Sequence, residues 1–140
     1  MRRVVVTGLG AITPLGVGVR RTWRRLLAGE CGIENVATVE PADQWRGLPS
    51  TVAGLVPSSA AGEGHWRAAD WISASDQRRM SKFAQYAVAA SDMALRDAEW
   101  EPAEPVDKQA TGVCLGSGIG ALEEIYDTSI SFRQEVRALG

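Results

Sequence analysis

Residues 4–16 read VVVTGLGAITPLG, a β-branched run that passes straight into Gly8 and Gly10 and then into Thr13-Pro14. Three consecutive valines leave no polar face. The run therefore predicts a strand buried on both sides, as in a parallel sheet covered by helices, and the glycines predict a tight turn at its end. Further along, Val19, Trp23, Leu26 and Leu27 recur at helical spacing while Arg20, Arg21, Arg24 and Arg25 take the other side. This predicts an amphipathic helix stopped by Gly29.

From Gly29 to about Trp71 the pattern loosens into a long connection with one short strand at Thr51 to Val56. Ser58 to Gly64 is small and polar enough to predict an exposed loop. The strongest periodicity, Met80, Phe83, Ala84, Ala87, Val88, Ala94, Leu95 and Ala98, predicts a helix from about Ser75 to Ala98, and its alanines predict close packing. Pro102 and Pro105 break the chain. Thr111, Val113 and Leu115 then alternate into Gly116-Ser117-Gly118-Ile119-Gly120, predicting a second strand that ends in a glycine turn. Leu122 to Phe132 is a weaker helical segment. Strands alternating with helices predict an α/β layered fold in one domain covering 1–140.

The formal charge of −2 argues against nucleic acid or an anionic membrane surface as a partner of the chain as a whole. No apolar stretch approaches the roughly 20 residues of a spanning helix, and no signal-type segment precedes Val4. Cys31 and Cys114 are far apart and the single histidine, His65, has no neighbour at ligand spacing, so neither a disulfide nor a metal site is expected. The cysteines are expected to be inert packing residues in a reducing compartment, Cys114 inside the buried second strand, and His65 an exposed loop residue.

Gly8-Leu9-Gly10 after a strand also suits a dinucleotide turn, but Thr13-Pro14 stands where the third glycine belongs and no acidic residue ends a second strand about 20 positions on. A structural glycine turn accounts better for the residues than an NAD(P)-binding oxidoreductase. Gly116 to Gly120 lacks the Lys-Ser/Thr pair of a P-loop.

RRVVVTGLGAITPLGVGV with TW and LLAGECGI, from Arg2 to Ile33, resembles the opening of the β-ketoacyl-[acyl carrier protein] synthases of the type II and mitochondrial sort. The resemblance resumes at SDQRRMSKFAQYAVAASDMALRDAEW, Ser75 to Trp100, and at TGVCLGSGIGALEE, Thr111 to Glu124. Residues 34–70 match loosely, and Arg133 to Gly140 do not continue the family pattern. The resemblance implies a thiolase-like layered fold, of which this chain would be an incomplete N-terminal portion, and a decarboxylative Claisen condensation of an acyl-enzyme with malonyl on acyl carrier protein. It implies no cofactor, and a homodimer for the full-length family. The family nucleophile is a cysteine at a helix N-terminus, assisted by two later histidines, and no residue of this chain matches any of the three. By itself the chain is expected to be inactive.

The same resemblance implies roles for three residues. Arg78 and Arg79 match basic residues that contact the acidic face of acyl carrier protein, while Ser75 replaces a family lysine. Read as the start of the long helix, they are cations at the positive end of its dipole, a placement that asks for a reason. The plainer alternative is a solvated face with Asp76 as counter-charge. Ile119 matches the side chain that limits the acyl chain entering the pocket, against the alternative of an ordinary core isoleucine at a turn. TPLGVGV and DAEW resemble the mitochondrial branch more closely, which favours a mitochondrial location over bacterial cytoplasm. A non-catalytic fragment that binds acyl carrier protein or pairs with the synthase is the second reading.

Overall fold

The computed structural model describes residues 3–38, 47, 49–58 and 62–138, with the backbone alone at 137–138. In chain order the described elements are β1 (Ile12–Thr13), β2 (Gly16–Val17), α1 (Val19–Leu27), β3 (Ile33–Asn35), β4 (Val52–Gly54), α2 (Ala74–Gln77), α3 (Lys82–Asp97), α4 (Pro105–Ala110) and α5 (Leu122–Ala138). Single 3-10 turns lie at Val36–Thr38 and Ala68–Asp70.

Pro14 and Leu15 turn the β1–β2 hairpin, whose register pairs Ile12 with Val17 and Thr13 with Gly16. Gly16 takes a φ of 126°, a conformation that glycine alone adopts without strain. The hairpin is fastened to α1 by polar contacts. The Thr13 hydroxyl lies 3.0 Å from that of Thr22 and accepts the Leu15 N–H at 3.1 Å, while Arg25 Nη1 donates to the Leu15 carbonyl at 2.7 Å. Arg25 also pairs through Nε with Glu30.

Pro14 carries the hairpin onto its neighbours. A Cβ added to Gly32 would fall 2.8 Å from Pro14 Cβ, and one added to Gly54 would fall 3.0 Å from Pro14 Cγ, so both glycines are bare to admit the ring. Gly32 precedes the second hairpin and Gly54 lies within it, where Ile33, Glu34 and Asn35 pair with Gly54, Ala53 and Val52. Val36 follows β3, donates its N–H to the Thr51 carbonyl at 2.8 Å and is 2 % exposed.

The helix α3 is the scaffold. Its face of Ala90, Met93, Ala94 and Ala98 receives the backbone of residues 8–10: a Cβ on Gly8 would lie 2.6 Å from Ala98 N, and one on Gly10 would overlap the Ala90 carbonyl. The Leu9 N–H donates to Asp97 Oδ2 at 2.9 Å, closing the contact with a charge-assisted bond. On another side of α3 the Tyr86 ring meets Trp66 edge-on at 4.8 Å, Trp66 being anchored by its N–H to the Pro57 carbonyl. Val36, Trp66, Ile72 and the wholly buried Ala89 are the buried apolar residues among those described.

Two helix ends share one geometry with different residues. After α1, the Gly29 and Glu30 N–H groups bond to the Leu26 and Arg25 carbonyls; after α3, those of Glu99 and Trp100 bond to the Arg96 and Leu95 carbonyls. Both are paired C-terminal closures that need a left-handed residue, supplied by Gly29 at φ 71° and by Glu99 at φ 49°. The glycine stop of α1 is thus as predicted, whereas the Glu99 stop carried no such signal.

Several expectations are corrected. Residues 4–6 and 111–115 form no strand among the described residues, and the sheets present are two antiparallel pairs. Val4 is 96 % and Val113 85 % exposed, because a β-branched or alternating pattern states what burial a segment needs and cannot supply the elements that would cover it. Cys114, expected inside a buried strand, is exposed, as is Cys31, so neither packs in a core. The long helix is split: α2 ends at Gln77, and Ser81, with ψ near 156°, starts α3 afresh. Met80 and Phe83 kept helical spacing across the break, which hid it from the periodicity. Pro105 does not only break the chain; it opens α4, where its missing N–H costs nothing. The predicted Leu122 to Phe132 helix is present and longer, and the Thr51 to Val56 strand is β4. Part of the predicted 58–64 loop lies outside the described residues.

Gly10→Ala is expected to lower stability by about 1–3 kcal/mol through overpacking, read as a lower urea midpoint at unchanged slope. Gly116→Ala, whose added Cβ meets nothing within 4 Å, should leave the midpoint in place.

Burial raises the Tyr86 phenol above its ordinary value near 10.0. The folded state therefore holds that proton more tightly than the unfolded chain, and the stability it contributes is intact below pH 10 and lost as pH climbs through the raised value. Thermal melts should fall more steeply above that pH in the native chain than in Tyr86→Phe; parallel curves would disprove the assignment.

Candidate functional site

The residues singled out for carrier docking lie in the four-residue connection between α2 and α3 rather than on the long helix. Ser73 caps α2: its hydroxyl accepts the Asp76 N–H at 3.2 Å, donates to Asp76 Oδ2 at 2.7 Å and lies 2.8 Å from the Ser75 hydroxyl. Asp76 is thus engaged with Ser73, and it makes no described ion pair with Arg78 or Arg79. Arg78 is the C-cap of α2 with α-helical dihedrals. The charge placement that looked unfavourable for the start of a helix is at the end of one, where cations are favoured.

Gln85, which the sequence reading passed over, holds this turn. From the first turns of α3 its Nε2 donates to the Gln77 carbonyl at 3.2 Å and the Met80 carbonyl at 2.9 Å. Those acceptors bracket Arg78 and Arg79, and carbonyls at a helix end have no intrahelical donor of their own. Gln77 Nε2 in turn donates to the Ile72 carbonyl at 2.7 Å, tying α2 to a buried residue. The two arginines are therefore displayed, exposed, on a turn fixed at both ends. A glutamine four residues after the helix-starting Ser81 is the signal that could have found it.

The glycine turn reaches the same end of α3. Gly120 has a φ of 75°, and a Cβ on it would lie 4.0 Å from the Phe83 ring, so residues 117–120 pass beside the first turn of the helix that follows Arg78 and Arg79. Ile119 itself is 74 % exposed and fills no core position. The structure brings the glycine turn to the N-terminal end of α3 without enclosing Ile119.

The remaining candidates are elsewhere. His65 is half-buried next to the Gly62–Gly64 bend, its N–H donating to the Gly62 carbonyl at 3.4 Å. Cys31 lies between α1 and β3 and Cys114 in the extended run after α4, neither at a helix N-terminus where a dipole would favour thiolate. No group of three or more metal-ligating side chains occurs among the described residues. Gly8 and Gly10 face α3, and α1 begins only at Val19, so this turn has a packing role and no helix start to offer a pyrophosphate.

The family model described as Beta-ketoacyl synthase, N-terminal domain, matches residues 1–138. The chain is 42 % identical over 135 residues to the 3-oxoacyl-[acyl-carrier-protein] synthase 2 of Rhizobium meliloti (strain 1021), covering 96 % of this chain and 31 % of the relative. It is 43 % identical over 138 residues to the mitochondrial 3-oxoacyl-[acyl-carrier-protein] synthase of Arabidopsis thaliana, covering 91 % and 29 %. Against the synthase 2 of Staphylococcus aureus (strain COL) the figures are 35 % over 123 residues, 87 % and 27 %. The chain thus spans about three-tenths of the length of these relatives.

Gln85→Ala should lower stability by about 1–3 kcal/mol by leaving its two partly buried acceptors unmade, and should speed amide exchange at residues 78–81. Arg78→Ala should stay within about 0.5 kcal/mol of the native chain, as surface changes do. Both are read from denaturant midpoints.

Proposed function

Since the chain belongs to the β-ketoacyl synthase family and carries its N-terminal domain, we propose that it serves a 3-oxoacyl-[acyl carrier protein] synthase of fatty-acid synthesis. The reaction is the decarboxylative condensation of an acyl thioester with malonyl carried on acyl carrier protein. The single observation that carries the reading of this chain's own part is the Gln85-braced turn presenting Arg78 and Arg79 to solvent. A carrier with an acidic face would meet two guanidinium groups whose backbone is already ordered, so docking costs little conformational entropy and gains from electrostatic steering.

Ile119 is assigned to the wall of the acyl pocket. Its support is the turn's place beside Phe83 and the need of an exposed branched side chain for an apolar neighbour. The chain is assigned to a thiolase-like layered fold as a single domain over 1–140, in which the exposed runs 4–6 and 111–115 are segments that await covering. Their exposure supports a sheet whose further strands and covering helices come from other parts of the synthase, and a homodimer for the whole enzyme.

The bond-making chemistry is assigned elsewhere in the enzyme. Two imidazoles cannot come from a chain with one histidine, and neither Cys31 nor Cys114 lies at a helix N-terminus. The oxyanion and enolate charges of such a condensation need fixed donors around them, a role this reading gives to the rest of the enzyme. Identity to the plant mitochondrial relative, 43 %, is level with that to the bacterial one, 42 %, so the likeness carries no preference between the two locations.

A second reading is favoured by the exposed apolar surface at Val4, Val5, Val6, Val113 and Leu115. In it the chain is a non-catalytic partner that binds carrier protein or a complete synthase.

The purified chain should bind acyl carrier protein with a salt-sensitive affinity, and Arg78→Glu with Arg79→Glu should weaken it by about tenfold or more, ~1.4 kcal/mol, in a titration by calorimetry. Mixed with acyl and malonyl thioesters of the carrier, it should form no 3-oxoacyl product. Equal binding by the charge-reversed chain would refute the docking assignment, and product from the chain alone would refute the division of chemistry.

A further inference from the structure

We propose that the basic groove between the first turns of α1, the bend at 63–64 and the C-terminal half of α3 binds a phosphorylated small molecule. This rests on none of the condensing chemistry above and lies apart from Arg78, Arg79 and Ile119.

The groove is open to solvent on one side and offers about 690 Å³, and its charged walls are Arg20, Arg21, Arg24 and Arg96 against Glu63 and Asp97. That volume lies within the roughly 300–1,000 Å³ of small-molecule sites. The charges are unevenly committed. Asp97 already accepts the Leu9 N–H, and Arg96 is paired with Asp92 at 2.8 Å and stacked over Trp71. Arg20, Arg21 and Arg24 make no ion pair among the described residues.

Arg21 is the least ordinary of the three. Its side chain is pressed between Gly16 and Gly64, each bare where a Cβ would strike it, and its Nε is sealed from solvent with no hydrogen-bond partner. A surface arginine normally keeps its guanidinium in water. Here Nε is shut into the groove wall, and no described hydrogen bond or ion pair uses the other guanidinium nitrogens, which are left for an anion in the groove.

The backbone adds charge of the same sign. Gly18 caps α1 without a side chain, and the first turn of α1 contains no acidic residue, so the positive end of the helix is not neutralised. Arg20, Arg21 and Arg24, spaced on adjoining turns, can each offer planar N–H pairs to the several oxygens of a phosphate, which suits guanidinium groups better than a lone carboxylate would. Leu9, Val17 and Met93 line the rest of the groove and give the remainder of the ligand an apolar wall. The sequence showed these arginines only as the solvated side of an amphipathic helix; α3 and the 63–64 bend make them one side of a groove.

The test is calorimetric titration of the whole chain with inorganic phosphate and with hexyl phosphate, which carries the same anion on an apolar tail. Saturable binding is expected, tighter for hexyl phosphate, and weakened about tenfold or more by Arg21→Gln. Arg133→Gln, an exposed arginine on α5, should bind as the native chain does. Should Arg21→Gln lose its far-ultraviolet dichroism, the double variant Arg20→Gln/Arg24→Gln, at exposed helix positions, gives the same readout. The proposal is overturned if neither compound saturates, if the groove variants bind like the native chain, or if Arg133→Gln weakens binding as much, which would mark a diffuse charge effect.

Discussion

The contact on which the rest of the structure depends is the backbone of residues 8–10 lying directly on the alanine face of α3. Glycine at 8 and 10 and alanine at 90, 94 and 98 remove every atom that would keep chain and helix apart, and the Leu9 N–H to Asp97 bond fixes the register along the helix. Packing at this distance gains dispersion contacts over a short length, and it tolerates no added methyl group. Because the β1–β2 hairpin follows within two residues, the contact also sets where Pro14 points. Pro14 in turn sits over Gly32 and Gly54 and positions the second hairpin. One close approach thus places both small sheets relative to the scaffold helix.

The opposite end of α3 carries a different kind of order, made of hydrogen bonds. Ser73, Gln77 and Gln85 use side-chain amides and hydroxyls to satisfy the open ends of α2, so a helix of four residues, too short to persist by itself, becomes a fixed corner. That corner displays Arg78 and Arg79. The glycine turn at 117–120 approaches the same place through Gly120 and Phe83. Two segments distant in sequence, each carrying a residue with a role implied by family resemblance, therefore share one end of one helix.

Much of this was legible beforehand, and for reasons that can be stated residue by residue. The α1 stop was readable because glycine is the residue that accepts a left-handed turn most cheaply, whereas Glu99 takes the same conformation and gives no warning. The alanine content of α3 announced close packing, though not what would pack there. The α2–α3 break was hidden because Met80 and Phe83 keep helical spacing through it. The valine run and the alternating run at 111–115 were read as strands, the first buried on both faces, yet they form none among the described residues and stay exposed, since covering is supplied by neighbours and not by the pattern itself.

The amino-acid sequence by itself determined the family, the helical character of α1, α3 and α5 and the glycine stop of α1, because local periodicity, caps and motif residues act over a few positions and survive without knowledge of the surroundings. Only the tertiary structure decided that Gly8 and Gly10 pack on a helix, that Arg78 sits at the favourable end of α2, and that Cys31 and Cys114 are exposed. Each of these depends on which distant segment lies alongside, a relation carried by distance in space and left unspecified by order along the chain.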